Sequence, residues 1–350
     1  MQWTNNLTQT LGITYPFIQA PMLNVTTPAM VAAISNAGAL GSLPVGGLQP
    51  AKILQLIQET KAQTNKPFAV NLFVNDIPTS ANQETWNAMQ NIIEQFAQQY
   101  NLPFKKQPLP SLQLISYKDQ LEVLLQEKIT IVSFTFGILD DYAINILHNN
   151  NVQLIGTATS VGEACLLSDK GIDMICVQGI EAGGHRGTFL HEDLPQIGLM
   201  ALLPQVVNAV NKPVIAAGAI AEGKSLKAAM MLGAQGVQVG SAFIACKESA
   251  ANSTYKNNVL QTTADSTTVT RAYTGRWMRC IKNDFIEALE SAGLPFNEYP
   301  VQQMLTGFLR TLFDDKNSIK FLPMLAGQNV RKSLNEKAAE ILMQMIKESV

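Results

Sequence analysis

The stretch Phe17–Val45, FIQAPMLNVTTPAMVAAISNAGALGSLPV, reads as strand, helix and strand in that order. Phe17–Met22 is a short apolar run of strand length. Thr27-Pro28 has the form of an N-cap followed by proline at the first helical position, where no N–H is needed. The helix is expected to stop at Asn36-Ala37-Gly38, with Gly38 as its terminating glycine. A second apolar run, Gly38–Val45, follows at once. The same rhythm continues outward. Pro50–Lys61 has helical spacing through Ile53 and Ile57, and apolar runs return at Phe68–Val74, Ile129–Phe136, Val152–Ala158, Ile172–Gln178, Pro213–Ile220 and Gly236–Ile244. Ser160–Glu163 is a capping box that opens the helix between the fifth and sixth runs.

These eight runs are continuously apolar rather than alternating, the pattern of parallel strands covered on both faces. Eight βα units predict an α/β fold of the (β/α)8 TIM-barrel type. A doubly wound open sheet is the rival, and the absence of G-x-G-x-x-G after the first strand weakens it: Gly38, Gly41, Gly46 and Gly47 have the wrong spacing. The expected division is a barrel over 1–246, a helical cap over 247–327 and a C-terminal helix within 328–350. An elongated loop, 77–113, interrupts the barrel. The last helix, Lys332–Lys347, carries an apolar stripe (Leu334, Ala338, Ile341, Leu342, Met345) that should pack back on the barrel.

Composition narrows the function. The 350 residues are 47% hydrophobic and 15% charged, against an average charged fraction of about a quarter, so the chain can bury a large core. With 25 Lys+Arg against 27 Asp+Glu there is no basic field to hold nucleic acid. The uncharged stretch Ala228–Cys246 is long enough to suggest a membrane span, but Gly233, Gly236, Gly240, Gln235, Gln238 and Ser241 argue for a helix end, a turn and a buried strand. Met1–Thr10 has neither the basic nor the apolar part of a secretory signal, and the four cysteines have no CxxC spacing. A cytoplasmic protein without a metal site or membrane segment is expected, as a monomer or homodimer.

Barrel active sites gather at the C-terminal ends of the strands. The sixth run ends in Gln178-Gly179-Ile180-Glu181-Ala182-Gly183-Gly184-His185-Arg186-Gly187, a permissive loop from which a single histidine emerges. Arg186, its neighbour on extended chain, is expected to point away and be structural. The seventh and eighth runs end in Ala217-Gly218-Ala219-Ile220 and Gln238-Val239-Gly240-Ser241, where barrels build phosphate sites from backbone N–H groups; tight helix–strand packing is the alternative. Asn71, inside an apolar strand, must be satisfied, and with Gln178 it offers two carboxamides to the imide edge of a flavin or to neighbouring backbone. His191 is expected to be a solvated loop residue and His148 to sit at a helix C-terminus. Tyr273 and Tyr299 are candidates for an aromatic pocket wall or for ordinary packing in the cap.

Gln178–Gly187, taken with Ile18–Met22, Asn36-Ala37-Gly38 and Gly236–Ser241, resembles the nitronate monooxygenase family, formerly 2-nitropropane dioxygenases, and its bacterial nitronate-oxidising branch in particular. The resemblance spans roughly Phe17–Ile244 and continues through Thr274-Gly275-Arg276, Tyr299-Pro300 and Ala326-Gly327-Gln328. It implies an FMN-dependent flavoprotein that uses O2 to convert alkyl nitronates, such as propionate 3-nitronate, to a carbonyl compound and nitrite. It implies that Met22, Asn71, Gln178, Gly183, Gly218, Gln238, Val239, Gly240 and Ser241 contact FMN and that His185 is catalytic. The alternative within the same barrel family is an FMN-dependent NAD(P)H:quinone or enoyl-thioester reductase. The chain departs from the pattern at Ala219, where a second glycine is expected, at Ser241, where threonine is commoner, and at Trp277, where a smaller residue is usual.

Overall fold

All eight apolar runs form strands of one parallel sheet. The computed structural model describes residues 3–112, 114–191 and 193–350. In chain order the strands are β1 (Phe17–Gln19), β2 (Gly41–Pro44), β3 (Phe68–Phe73), β4 (Ile131–Thr135), β5 (Gln153–Ala158), β6 (Met174–Gln178), β7 (Gly184–His185), β8 (Val214–Ala217), β9 (Gly236–Val239), β10 (Thr267–Thr270) and β11 (Met278–Ile281). The large sheet runs β1-β9-β8-β6-β5-β4-β3-β2, and a parallel bridge between Ile18 and Leu40 joins its two ends. Helices cover the outside, so the fold is a (β/α)8 barrel. β7, β10 and β11 form a separate antiparallel sheet in the order β10-β11-β7.

The local signals behave as their chemistry requires. Thr27 caps the helix Pro28–Asn36 by accepting from the Met30 N–H, and Gly38 follows at φ 91°, the left-handed region open to glycine. Pro50–Lys61 is helical over those bounds. Ser160 caps the helix Val161–Asp169, but the second half of the expected capping box is shifted by one residue. Glu163 accepts from the backbone N–H of Thr159 instead of that of Ser160.

Inside the barrel the lumen has two layers. Ile18, Leu40, Ala69, Ile131, Ile155, Met174, Cys176 and Ile215 form an apolar floor, and Leu7 and Leu11 of the N-terminal helix Asn6–Leu11 plug it from below. Gly236 permits that plug, because a Cβ there would lie 2.5 Å from Leu7 Cδ2. Two residues further along the same strands the inward positions become polar: Asn71 after Ala69, Ser133 after Ile131, Thr157 after Ile155, and Gln178 after Cys176. The strands look continuously apolar because their outward faces pack under helices, while the inward face changes character halfway up.

Outside the βα units the structure refines the expectations. The excursion 77–113 carries an 18-residue helix, Gln83–Tyr100, capped by Asn82, where an elongated loop was expected; Gln113 lies outside the described residues. Trp86, Met89, Ile93 and Phe96 bury one stripe of it, and Phe96 meets Phe285 edge-on at 5.2 Å. The segment 247–327 contains the helices Ser253–Gln261, Asp284–Ser291 and Val301–Thr306, and also β10 and β11. The final helix begins at Ala338, whose N–H donates to Glu248, and not at Lys332, which sits in a short 3-10 turn. Its face Ala338, Ile341, Leu342, Met345 and Ile346 is buried. Among the described residues no helix is long and apolar enough to cross a membrane.

Leu7 is fully buried between floor and plug, so Leu7→Ala should lower stability by about 2–5 kcal/mol. The exposed Met231 should tolerate alanine within about 0.5 kcal/mol. Urea midpoints of the two variants check this; equal midpoints would mean that the plug bears no load.

Candidate active site

The polar half of the lumen opens into a cavity of about 720 Å3 between the barrel mouth and the segment 247–327. Met22, Asn71, Gln178, Gly183, His185, Gly218, Gln238, Gly240 and Ser241 all line it. Val239 is the one residue of that set outside the lining. It is 1% exposed within β9, and strand alternation that turns Gln238 inward turns Val239 toward the helices.

His185 is held from several sides. Its carbonyl accepts from Gln178 Nε2 at 3.0 Å, while Gln178 Oε1 accepts from the Gly187 N–H at 2.9 Å. The side chain read as a ring contact is therefore also the tie across the loop, and it keeps one N–H and one lone pair free. β7 pairs with β11, placing Met278 opposite His185 and Arg279 opposite Gly184. Arg186 turns away from the cavity, is fully buried and donates to the carbonyls of Gly179 (2.6 Å) and Gln178 (2.8 Å), a structural role. Glu163, also fully buried, accepts through Oε1 from Thr188 Oγ1 and from the N–H groups of Phe189 and Leu190, which fixes the chain just past the histidine.

The imidazole forms a three-ring cluster with Phe136 and Tyr299: their centroids are 5.5 and 6.1 Å from it, both edge-on, and 5.9 Å from each other. Nε2 is 3.0 Å from Thr274 Oγ1, and Nδ1 has no hydrogen-bond partner among the described residues. Burial, reinforced by the charges of Arg276 and Arg310, pushes its pKa down to about 3. At neutral pH His185 is an uncharged ring at the edge of an aromatic cluster, facing the cavity. Phe136 adopts φ 80°, a strained value for a bulky residue, and Arg276 lies 4.1 Å above its ring while donating to the carbonyls of Phe136 and Thr188.

At the other end of the cavity the backbone N–H groups of Gly218, Ala219, Ile220, Gly240 and Ser241 have no hydrogen-bond partner among the described residues. Gly218 stands at φ 125° and Ala219 at φ 54°, so Ala219 occupies a left-handed position that would suit glycine better. Asn329 Nδ2 holds the Ala219 carbonyl at 2.9 Å, and Ser241 Oγ accepts from the Gly327 N–H. Between the two ends, Asn71 Nδ2 donates to Ser133 Oγ at 2.9 Å, and no partner among the described residues bonds Asn71 Oδ1. A row of free backbone donors suits a phosphate, and the leftover carboxamide groups of Asn71 and Gln178 suit a ring that alternates donors and acceptors.

Of the other residues weighed from the sequence, Tyr299 lines the cavity and Tyr273 does not: its hydroxyl is buried against Asn283 and the carbonyls of Phe321 and Leu322. Trp277 contributes its carbonyl to Arg186, and its ring meets Arg271. His191 is exposed, and His148 ends a helix with Nε2 3.1 Å from Asp173. Sequence reasoning gave no role to Phe136, Thr274 or Arg310; of the three only Thr274 lies in a stretch that carries the resemblance, Thr274-Gly275-Arg276.

The chain matches the nitronate monooxygenase family over residues 4–348. A probable nitronate monooxygenase of Staphylococcus saprophyticus is 36% identical, over 100% of this chain and 98% of its own length. One of Staphylococcus haemolyticus is 35% identical, over 99% and 98%. Among solved structures, the nitroalkane oxidase of Streptomyces ansochromogenes is similar at TM-score 0.86 and 31% identity, covering 99% of this chain and 98% of that one. FabK from Thermotoga maritima is similar at 0.76 and 26%, covering 99% and 96%. With a match that runs almost end to end on a barrel whose mouth frames a part-buried histidine, the chain is an oxidoreductase belonging to the nitronate monooxygenase family.

Proposed function

We propose that this enzyme uses FMN and O2 to oxidise small alkyl nitronates, propionate 3-nitronate among them, to a carbonyl compound and nitrite. The observation that carries this reading is the part-buried imidazole of His185 at the barrel mouth, grouped with the rings of Phe136 and Tyr299 and held below the usual histidine range by its surroundings. A base held near 3 has little drive to take the α-proton of a neutral nitroalkane. A nitronate has already lost that proton, so it asks the protein only for orientation, charge stabilisation and exclusion of water.

Each need has a residue. Nδ1 of His185 is the ring atom left for substrate, since Nε2 faces Thr274. When Thr274 Oγ1 donates to Nε2, the ring proton sits on Nδ1 and can hydrogen-bond a nitro oxygen. Phe136 and Tyr299 give the ring an apolar side. Asn71, Gln178 and Gln238 would hold the FMN ring system, and the free N–H groups of Gly218, Ala219, Ile220, Gly240 and Ser241 its phosphate. Bound there, FMN supplies the electron acceptor that a nitronate can reduce and O2 can reoxidise. The compartment this reading implies is the cytoplasm, in keeping with four free cysteines.

His185→Asn should keep its bound flavin absorbance and release nitrite from propionate 3-nitronate at least about 100-fold more slowly than the natural enzyme. Unchanged release would remove His185 from the mechanism, and NADPH-driven quinone reduction without nitronate turnover would overturn the function itself. The ring's protonation is testable separately. Because its pKa falls from 6.5 to about 3 on folding, unfolded chains take the proton first, and this group's contribution to stability is lost progressively as pH falls from about 6.5 toward 3. Nitrogen-15 spectra of histidine-labelled protein should show His185 neutral down to about pH 4; titration near 6.5 would contradict the lowered pKa.

A further inference from the structure

Three loops meet at the phosphate-suited end of the cavity, and one short segment, Gly327–Ser333, is bonded to all of them. The Gln328 N–H donates to the carbonyl of Glu181, in the loop after β6, at 3.0 Å. Asn329 Nδ2 donates to the Ala219 carbonyl, in the loop after β8, at 2.9 Å. In the loop after β9, Ser241 Oγ accepts from the Gly327 N–H at 2.9 Å, and the Ser241 carbonyl accepts from Ser333 Oγ. The segment lies so close against the first loop that a Cβ on Gly183 would sit 2.4 Å from the Gly327 nitrogen. Just beyond the loop after β8, Lys332 pairs with Glu222 at 2.8 Å, but both side chains are partly exposed and the pair adds little. The hold on that loop therefore rests on Asn329.

The loop after β8 is also the one that needs holding. Ala219 stands at φ 54°, a left-handed value that an alanine disfavours roughly tenfold and a glycine does not. A trans peptide bond puts the Ala219 carbonyl and the Ile220 N–H on opposite sides of one plane, so a bond that holds the carbonyl also aims the N–H. That N–H, like those of Gly218 and Ala219, has no partner among the described residues, and all three residues line the cavity. Successive N–H groups of this kind receive an anion only while the backbone keeps its turn.

We propose that Asn329 is a positioning residue for the flavin phosphate: by holding the Ala219 carbonyl it keeps this alanine left-handed and the Ile220 N–H turned to the phosphate, and so sets the preference for FMN over riboflavin. The proposal rests on the FMN-dependent reading above. Asn329 acts through the backbone and needs no contact of its own with the phosphate. A side chain that merely supported the fold would, when removed, weaken both flavins alike; one that aims the phosphate donors weakens FMN alone. Glycine at position 219 takes the same turn without steric cost, so it makes Asn329 dispensable.

The test equilibrates the full-length holoprotein with mixtures of FMN and riboflavin and measures the ratio of the two that stays bound. The natural protein should prefer FMN by about 100-fold or more. Asn329→Ala should cut that preference at least about tenfold, and adding Ala219→Gly to it should return the preference to within about threefold of the natural value. Should Asn329→Ala fail to fold, Asn329→Leu, similar in shape to asparagine but without a donor, reads the same ratio. A natural protein that binds both flavins equally overturns the proposal with no variant needed. An unchanged preference without Asn329 overturns it, and so does a loss that Ala219→Gly does not repair. Either of those results defeats this proposal alone, whereas a natural protein that retains no flavin defeats the functional reading and this proposal with it.

Discussion

The carboxamide of Gln178 reaches across its own loop, giving a hydrogen bond to the carbonyl of His185 and taking one from the N–H of Gly187. The rest of the site depends on that span. It converts a glycine-rich segment, which by itself would sample many conformations, into a rigid bracket at the end of β6. Arg186 then fastens the same strand end from behind through the carbonyls of Gln178 and Gly179, and Glu163 secures the exit of the loop. With the backbone held on both sides of residue 185, the imidazole is set against the paired rings of Phe136 and Tyr299.

That setting is built jointly by two parts of the chain. The barrel supplies the bracket, and the segment after β9 supplies β11, Thr274, Tyr299 and Arg310. Pairing of β7 with β11 makes the later segment part of the active-site scaffold. It also accounts for the ring's electrostatics. Packing against that segment partly desolvates the imidazole, and Arg276 and Arg310 add positive charge nearby, so both effects favour the neutral form. An anionic substrate brought beside the same arginines meets a field already arranged to receive it.

The barrel was legible because eight apolar runs at βα spacing repeat a single signal, and Thr27-Pro28 and Ser160 mark helix starts through local chemistry. The loop carrying His185 was legible for a different reason, since its glycines make sense only where backbone must turn sharply or approach a ligand. Several features carried no such signal. The helix Gln83–Tyr100 has a buried stripe at Trp86, Met89, Ile93 and Phe96, but Gln and Asn between those positions masked it. β7, β10 and β11 are two to four residues long, too short to show periodicity. The parity of Gln238 and Val239 was available from strand alternation and went unused. Arg310 is a single charge in an apolar segment, and only the folded chain reveals that it lines the cavity.

The central claim is that this cavity joins a flavin to a nitronate beside a neutral His185. The visible absorption spectrum of the purified holoenzyme, taken without oxygen before and after propionate 3-nitronate is added, tests it most directly. The account predicts flavin bands at the outset that lose intensity or change shape once the nitronate is present. Flavin bands indifferent to the nitronate, or a protein with no flavin bands, would contradict it.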